Sequence, residues 1–312
     1  MKFYPPSHWW RWTLLAGGGL LALLAGCAGW LYGQLQGSLP RLDGAATLAG
    51  LSAPVGVERD ALGVPTIRGE TRLDVARATG FVHAQERFFQ MDLLRRAAAG
   101  ELAALVGPAA LALDRANRVH RFRHRARQIV ATTPTEDRAL LAAYVAGVNA
   151  GLAALATPPF EYLLLRTAPA PWQSEDTLLV VYAMYLDLQG QQWLRESARG
   201  VLHERLPPAL AAFLDPAGTD WDAPLQGDPL PSPALPGPET FDLRRRPVVT
   251  TVPAAAASRQ PPAFALYPTV SFGESETASG SNNWAVAGRL TAHGGALLAN
   301  DMHLALRVPN IW

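Results

Sequence analysis

The chain has 312 residues, 49% hydrophobic and 17% charged, which is enough apolar content to bury a core and excludes wholesale disorder. Lys and Arg number 27 against 26 Asp and Glu, a formal charge of +1, and no long segment gathers basic residues on one face, so nucleic acid is excluded as a primary ligand. A single cysteine cannot close an internal disulfide, and no Cys/His spacing resembles a zinc site, so disulfide-stapled and zinc-built scaffolds are excluded as well.

Lys2 and Arg11 precede an uncharged apolar run from Trp12 to Tyr32. At about 1.5 Å per residue these roughly 21 residues just cross a bilayer core of about 30 Å. The positive flank keeps the N-terminal end in the cytoplasm and places everything after Gln34 outside, in a bacterium the periplasm. Residues 1–40 are therefore expected to be a cytoplasmic tail and signal segment, with residues 12–32 in the membrane. Leu24-Ala25-Gly26-Cys27 has the small-residue pattern of a lipoprotein cleavage site, and the sole cysteine falls there, so lipidation of Cys27 is open. An uncleaved anchor and a removed signal peptide are the other two outcomes. The apolar run continues past Cys27 through Trp30 and Leu31, which favours the anchor.

After a Pro- and Gly-containing connector, Val55, Val57 and Arg59 alternate, Asp60 to Gly63 reads as a turn, and Val64 to Arg68 as a second strand, together a hairpin. Thr71 and Asp74 have capping-box spacing, and from Leu73 onward Val82, Phe89 and Leu93 recur on one face, which predicts a helix to about Leu105. Helical patterns resume over 136–154 and 176–206, separated by Pro158, Pro159, Pro169 and Pro171. From Pro207 to about Ala265, Pro, Ala and Gly dominate, around the basic run Arg244, Arg245, Arg246, and the stretch reads as a spacer. Short apolar runs, 284–287 and 296–299, then flank a His293-Gly294-Gly295 turn and predict a second hairpin.

The chemistry concentrates just before that hairpin, in Gly280-Ser281-Asn282-Asn283-Trp284. Gly-Ser-Asn is common in turns, but its place between spacer and strand supplies a mechanism. If the Gly280–Ser281 bond breaks, one residue holds both a hydroxyl nucleophile and an α-amine. With a pKa of about 7.7 to 8.0, that amine is substantially neutral near pH 7 and accepts the hydroxyl proton directly or through one water, so no distant histidine is required. Glycine before the serine tolerates strained geometry and leaves its carbonyl open to attack by the serine Oγ. A conventional serine hydrolase elbow, Gly-x-Ser-x-Gly, does not occur in the chain.

Residues 55–312 resemble the penicillin acylase family of N-terminal-nucleophile amidohydrolases, which includes penicillin, cephalosporin and acyl-homoserine lactone acylases. Four blocks carry the resemblance in family order: VERDALGVPTIRGET (57–71), GFVHAQERFFQMDLLRRAAAGELAAL (80–105), the PFEYLLL block ending at Asp176 (159–176), and GSNNWAVAG with ALLANDMHL (280–304). The resemblance implies an α+β fold, an αββα sandwich in the complete protein. Residues 41–206 would be the small-subunit region, 207–280 the spacer and linker peptide, and 281–312 the start of the large subunit. It further implies that the precursor cuts itself after Gly280 and hydrolyses a linear amide between an acyl chain and an amine.

Residue by residue, Ser281 matches the nucleophile. His303, twenty-two residues later, matches a position that some members fill with histidine, where it contacts the nucleophile. Glu196 matches the small-subunit carboxylate that binds calcium, the other ligands coming from the large subunit. Met184 and its neighbours match the helix lining the acyl pocket, and His83, Gln85 and Glu86 are expected to pack and hydrogen-bond around the first helix. The implied partners are the amide substrate, the protein's own large subunit and the membrane. The family's large subunit continues for several hundred residues past its nucleophile. The 312 residues are thus expected to be the front of a longer precursor, inactive alone because the oxyanion-hole asparagine lies beyond Trp312. An acyl-homoserine lactone acylase and a non-catalytic membrane-tethered scaffold remain as rival readings.

Overall fold

The first element, α1 (Trp9–Gly37), runs 29 residues without an internal charge beyond Arg11. Within it Trp12–Gly37 is, among the described residues, a helix long and apolar enough to cross a membrane, with no part of its most hydropathic window buried. The structure, a computed structural model, describes residues 9–189, 192–224, 226–242, 244 and 280–303. Residues 245–279 of the expected spacer lie outside the described residues, as do 304–312. The chain divides into two compact units, Met1–Ala183 and Met184–Trp312.

In the first unit β1 (Gly56–Arg59) and β2 (Pro65–Arg68) form the expected antiparallel hairpin, with Val57 opposite Ile67. Its turn is built by Asp60, whose Oδ1 accepts the Leu62 and Val64 N–H groups at 2.8 and 2.9 Å, and by Gly63 at φ 80°. An Arg59–Glu86 ion pair fastens the hairpin to the long helix α2 (Arg72–Ala99). That helix starts as expected: Thr71 is its N-cap and its Oγ1 accepts the Asp74 N–H at 3.1 Å. Asp74 in turn accepts the Ser52 N–H and hydroxyl, and these donors, the hydroxyl foremost, hold its carboxyl below the usual range.

The helix does not reach Leu105. It stops at Gly100, whose left-handed backbone (φ 69°) turns the chain while the Gly100 and Glu101 N–H groups bond back to Ala97 and Arg96. Asp114 then caps the short α3 (Ala103–Val106), accepting the Leu102 and Ala103 N–H groups at 2.9 and 2.8 Å. Two short, arginine-rich helices follow, α4 (Leu111–Arg118) and α5 (Phe122–Thr132).

The centre of the layer is the packing of α2 against α6 (Thr135–Ala153). The two backbones approach so closely that a Cβ on Gly80 would strike the Tyr144 carbonyl, one on Gly147 the Arg77 carbonyl and one on Gly151 the Phe81 carbonyl. Around this contact Ala84, Phe88, Met91, Leu105, Val148, Tyr162 and Trp172 close a single core. Tyr162 comes from α7 (Phe160–Leu165) and Trp172 from the loop before α8 (Ser174–Gln189).

Buried charge crosses the same core. Arg95 donates to Asp92 at 2.7 Å, to Asp176 at 2.5 Å, and to the Pro171 and Ala170 carbonyls at 3.0 and 2.8 Å, and its guanidinium lies 4.9 Å from the Trp172 ring centroid. Tyr162 donates its hydroxyl to Asp92 at 2.7 Å, and burial foremost, then the Asp92 charge and hydrogen bond, pushes the phenol pKa upward. Arg123 reaches the other oxygen of Asp176 at 3.1 Å. Among the described residues no buried side-chain nitrogen or oxygen lacks a hydrogen-bond partner.

In the second unit α9 (Gln192–Arg205) and α10 (Pro208–Leu214) are joined through Asp215, which accepts Arg199 Nε at 2.9 Å and lies 2.8 Å from His203 Nε2. The expected helical run to Leu206 is thus seen as α8 and α9. α10 lies inside the stretch whose composition reads as spacer, because Pro208 suits a first helical turn and Ala-Leu-Ala-Ala-Phe-Leu continues it. The unit ends in β3 (Gly280–Val286) and β4 (Leu297–His303), an antiparallel hairpin longer than the apolar runs alone indicate. Helices with two hairpins make the chain α+β, as expected.

Two predictions follow from the packing. Gly147→Ala should cost about 3 kcal/mol or prevent folding, because the methyl meets backbone that cannot yield. Gly200→Ala, with open space around it, should be neutral or stabilising by about 1 kcal/mol. Urea denaturation of both variants measures the contrast. Arg199, then His203, hold the Asp215 carboxyl below its ordinary 3.8. A depressed folded pKa means the clamp is fully present above that ordinary value and is lost as pH falls through the folded one. Hydrogen-exchange protection of α10 should therefore fall on acidification below about pH 4. In Asp215→Asn it should already be low at neutral pH.

Candidate active site

The second hairpin positions the candidate nucleophile. Alternating residues extend β3 and β4, and the link between them is built rather than loose. Thr291 donates its hydroxyl to the Gly288 and Gly295 carbonyls at 2.9 and 2.8 Å. Gly295 donates its N–H to His293 Nδ1 at 3.1 Å, and Gly294 takes a positive φ of 74°. A Cβ on Gly288 would strike the Gly294 carbonyl, so the connection closes only with glycine there. This connection sets the register, which begins with Val286 opposite Leu297 and ends with Ser281 opposite Met302 and Gly280 opposite His303.

That register brings two residues twenty-two positions apart to neighbouring rungs of one ladder. His303 faces Gly280, the residue on the acyl side of the Gly280–Ser281 bond, and is a diagonal neighbour of Ser281, whose direct partner is Met302. Paired strands lie about 4.8 Å apart, so the His303 backbone runs alongside the bond whose scission would free Ser281. Polar residues continue inward, Asn282 opposite Asp301 and Asn283 opposite Asn300, before the apolar pairs take over. Ser281 is solvent-exposed.

Glu196 lies on α9 with an exposed carboxylate that accepts Arg199 Nη1 at 3.1 Å. It is the outer end of a chain of charges running through Arg199 to Asp215, and Asp215, ahead of Glu196, raises the Arg199 pKa. A hard dication takes about six to eight oxygens. Among the described residues no group of three or more His, Cys, Asp or Glu side chains could hold a metal, and Glu196 shares its carboxylate with an arginine. Cys27 is exposed on α1.

The structure places the remaining sequence-derived residues in the helical layer. His83 Nδ1 lies 3.1 Å from the Tyr144 hydroxyl across the α2–α6 contact. Burial depresses the His83 pKa and raises that of Tyr144 to about 12, which suits a neutral packing pair. Glu86 ties down β1 through Arg59, and Gln85 is buried. Met184, Tyr185 and Leu188 on α8 are exposed apolar side chains. Sequence reasoning passed over Asp92 and Arg95. The available signal was Asp92 among the apolar Met91, Leu93 and Leu94, with Arg95 three residues on at helical spacing.

Comparison with known proteins agrees with the motif blocks. The penicillin amidase family model matches residues 54–312. Penicillin acylase 2 proenzyme of Pseudomonas sp. (strain SE83) is 37% identical over 282 residues, covering 89% of this chain and 34% of the relative. Acyl-homoserine lactone acylase QuiP of Pseudomonas aeruginosa is 32% identical over 321 residues, covering 100% of this chain and 34% of the relative. A solved structure, a thermostable penicillin G acylase from Alcaligenes faecalis, matches 58% of this chain and 98% of its own at 24% identity with a TM-score of 0.44. The chain thus spans about a third of the length of the curated relatives it matches. On a family match over most of its residues and more than 30% identity along nearly its whole length, the chain belongs to the penicillin amidase family.

Proposed function

We propose that this chain carries the nucleophile of a self-processing acylase that hydrolyses an amide joining an acyl chain to an amine. The observation that carries the proposal is the hairpin register, which sets the Gly280–Ser281 bond at a strand end beside His303. In processing, Ser281 Oγ attacks the Gly280 carbonyl carbon, the peptide C–N bond breaks, and the acyl group moves to oxygen as an ester with the Ser281 α-amine freed. Water then hydrolyses the ester, leaving Gly280 as a carboxylate and Ser281 as a new N-terminus.

In turnover the freed amine takes the hydroxyl proton as Oγ attacks the substrate carbonyl, and it returns the proton to the departing amine nitrogen. Water hydrolyses the resulting acyl-enzyme by the same route in reverse. His303, through its backbone beside Gly280, is assigned to positioning the nucleophile and to the oxyanion. The relatives' names, penicillin acylase and acyl-homoserine lactone acylase, both describe scission of such a linear amide, and that bond is the substrate class assigned here.

On this reading residues 41–206 form the small-subunit region, 207–280 the spacer and linker, and 281–312 the beginning of a nucleophile subunit within an αββα sandwich. The two subunits stay associated as a heterodimer from one precursor. α1 is assigned as a retained anchor with the remainder in the periplasm, supported by its length, apolarity and positive flank. Calcium is assigned only one ligand here, Glu196, and no catalytic step passes through it.

Intact mass of the longest natural product should show scission between Gly280 and Ser281. Ser281→Ala should stay uncleaved and lose amide hydrolysis by a factor of about 10⁴ or more. An uncleaved wild type whose function survives Ser281→Ala would instead support the tethered scaffold. For the cation, chelation with EGTA should lower the melting temperature of the processed protein, and Glu196→Gln should remove that response. A wild type indifferent to EGTA ends the calcium assignment.

A further inference from the structure

The membrane helix does not end in a loose tether. Thr157, in the loop between α6 and α7, donates its hydroxyl to the Gln34 carbonyl at 2.8 Å and its backbone N–H to the Gly37 carbonyl at 3.1 Å. Both carbonyls belong to the last turn of α1, and that of Gln34 accepts the Thr157 hydroxyl beside the Ser38 N–H, which reaches it at 3.2 Å. A Cβ on Gly37 would sit 2.8 Å from Thr157 Oγ1, so helix end and loop meet with nothing between them.

Four exposed apolar side chains follow the two halves of this clamp along the chain. Leu39 and Leu42, which follow α1, are 56% and 61% exposed. Pro158 and Pro159 lead straight from Thr157 into α7, where Phe160 and Leu164, one turn apart on one face, are 42% and 71% exposed. Arg41 and Arg166, neighbours of these residues in the chain, are exposed, as is Asp43, whose carbonyl accepts Arg41 Nε at 3.0 Å. Glu161 is the single acid on α7, and burial holds its carboxyl above the usual range, which weakens the negative charge it presents.

The length of α1 sets the height of the clamp. Trp12–Gly37 is 26 residues. At about 1.5 Å per residue that is about 39 Å, against a hydrocarbon core of about 30 Å, so with Trp12 at the inner boundary Gly37 emerges about 9 Å into the outer headgroup layer. Trp30 and Tyr32 then fall at the outer interface, where such rings concentrate. We infer that the helical domain rests directly on the outer leaflet, held there by the Thr157 clamp, with Leu39, Leu42, Phe160 and Leu164 seated among phospholipid headgroups and Arg41 and Arg166 toward the phosphates. The occupant is lipid because the patch is continuous with the membrane helix itself. Apolar side chains on a short amphipathic segment enter that layer, and basic residues at its rim add to the attraction.

The inference rests on the anchor assignment above, and the test separates the two. The full chain carrying Cys27→Ser and one of Leu42→Cys, Phe160→Cys or Leu164→Cys is labelled with a bimane fluorophore. It is reconstituted in phosphatidylcholine/phosphatidylglycerol vesicles with and without doxyl-labelled lipid. Controls are Leu62→Cys and Val119→Cys, equally apolar and more exposed positions in other turns. Quenching should be several-fold stronger at 42, 160 and 164 than at either control. A flexible Gly-Ser insertion after Gly37 combined with Thr157→Gly should keep the chain on floated vesicles while removing that difference. Floated chain with equal quenching at all five positions overturns the resting orientation and leaves the anchor standing. Cross-linking between two copies through position 160 without lipid quenching overturns it in favour of self-association. Chain that does not float overturns the anchor and the orientation together.

Discussion

The helical unit depends on one buried cation. Arg95 is the point where α2, the 170–173 loop and the start of α8 are held to one another, and each of those segments spends hydrogen-bonding groups on it. A guanidinium suits this task because its planar fork presents several donors at fixed angles, so two carboxylates and two carbonyls are satisfied together. The net gain from such a buried pair is small, since desolvation offsets most of the Coulomb attraction. Removing the arginine alone is another matter, because it leaves Asp92 and Asp176 buried with incomplete partners at a cost of about 3 to 5 kcal/mol. That is a large share of the roughly 5 to 15 kcal/mol by which a domain is usually stable. The ionic network therefore acts mainly to specify one arrangement, with the apolar burial of Phe88, Tyr162 and Trp172 supplying the driving force.

The network works only because the helices come close. Glycines at 80, 147 and 151 let α2 and α6 meet backbone to backbone, and that proximity draws Asn149 to the Trp172 main chain, where it both donates and accepts. Trp172 is thereby fixed beneath Arg95, and its ring nitrogen donates to Thr177 in the first turn of α8. Small residues in one contact thus determine where α8 begins, and α8 is the helix that continues toward Met184 and its exposed apolar neighbours.

Both hairpins were legible in the sequence because alternation and turn chemistry are local: Asp60 with Gly63 in one, His293 with two glycines in the other. The start of α2 was legible for the same reason. Its end was not, because Leu102 and Leu105 keep the helical spacing running past Gly100, and only the glycine's left-handed capping role marks the stop. α4 and α5 escaped notice because each is short and arginine-rich, with few large apolar side chains to set a period; they are held by tertiary contacts such as Asn117 to the Ala97 carbonyl. At the site, motif blocks identified Ser281 and His303 as positions, but their rung-by-rung relation depends on how many residues the Gly288–Gly295 connection absorbs. Long-range pairs such as Arg95 with Asp176, or Thr157 with Gln34, leave no trace in local pattern at all.

On the proposed processing, what the fold contributes to chemistry is a place for a chain end. A two-stranded ladder with its register locked at the far turn presents Gly280 and Ser281 at the opposite tip, so scission there creates a terminus held in fixed geometry against His303 and Met302. Fixed geometry is what lets an amine and a hydroxyl on one residue act as base and nucleophile for a bound amide. The most direct measurement treats the active protein with an acylating serine reagent and sequences the modified peptide by mass spectrometry. The account predicts a peptide that begins at Ser281, with a free α-amine and the acyl group on its hydroxyl. An active protein that carries the adduct on another residue, or that keeps Gly280 joined to Ser281 while it turns over amide, would contradict it.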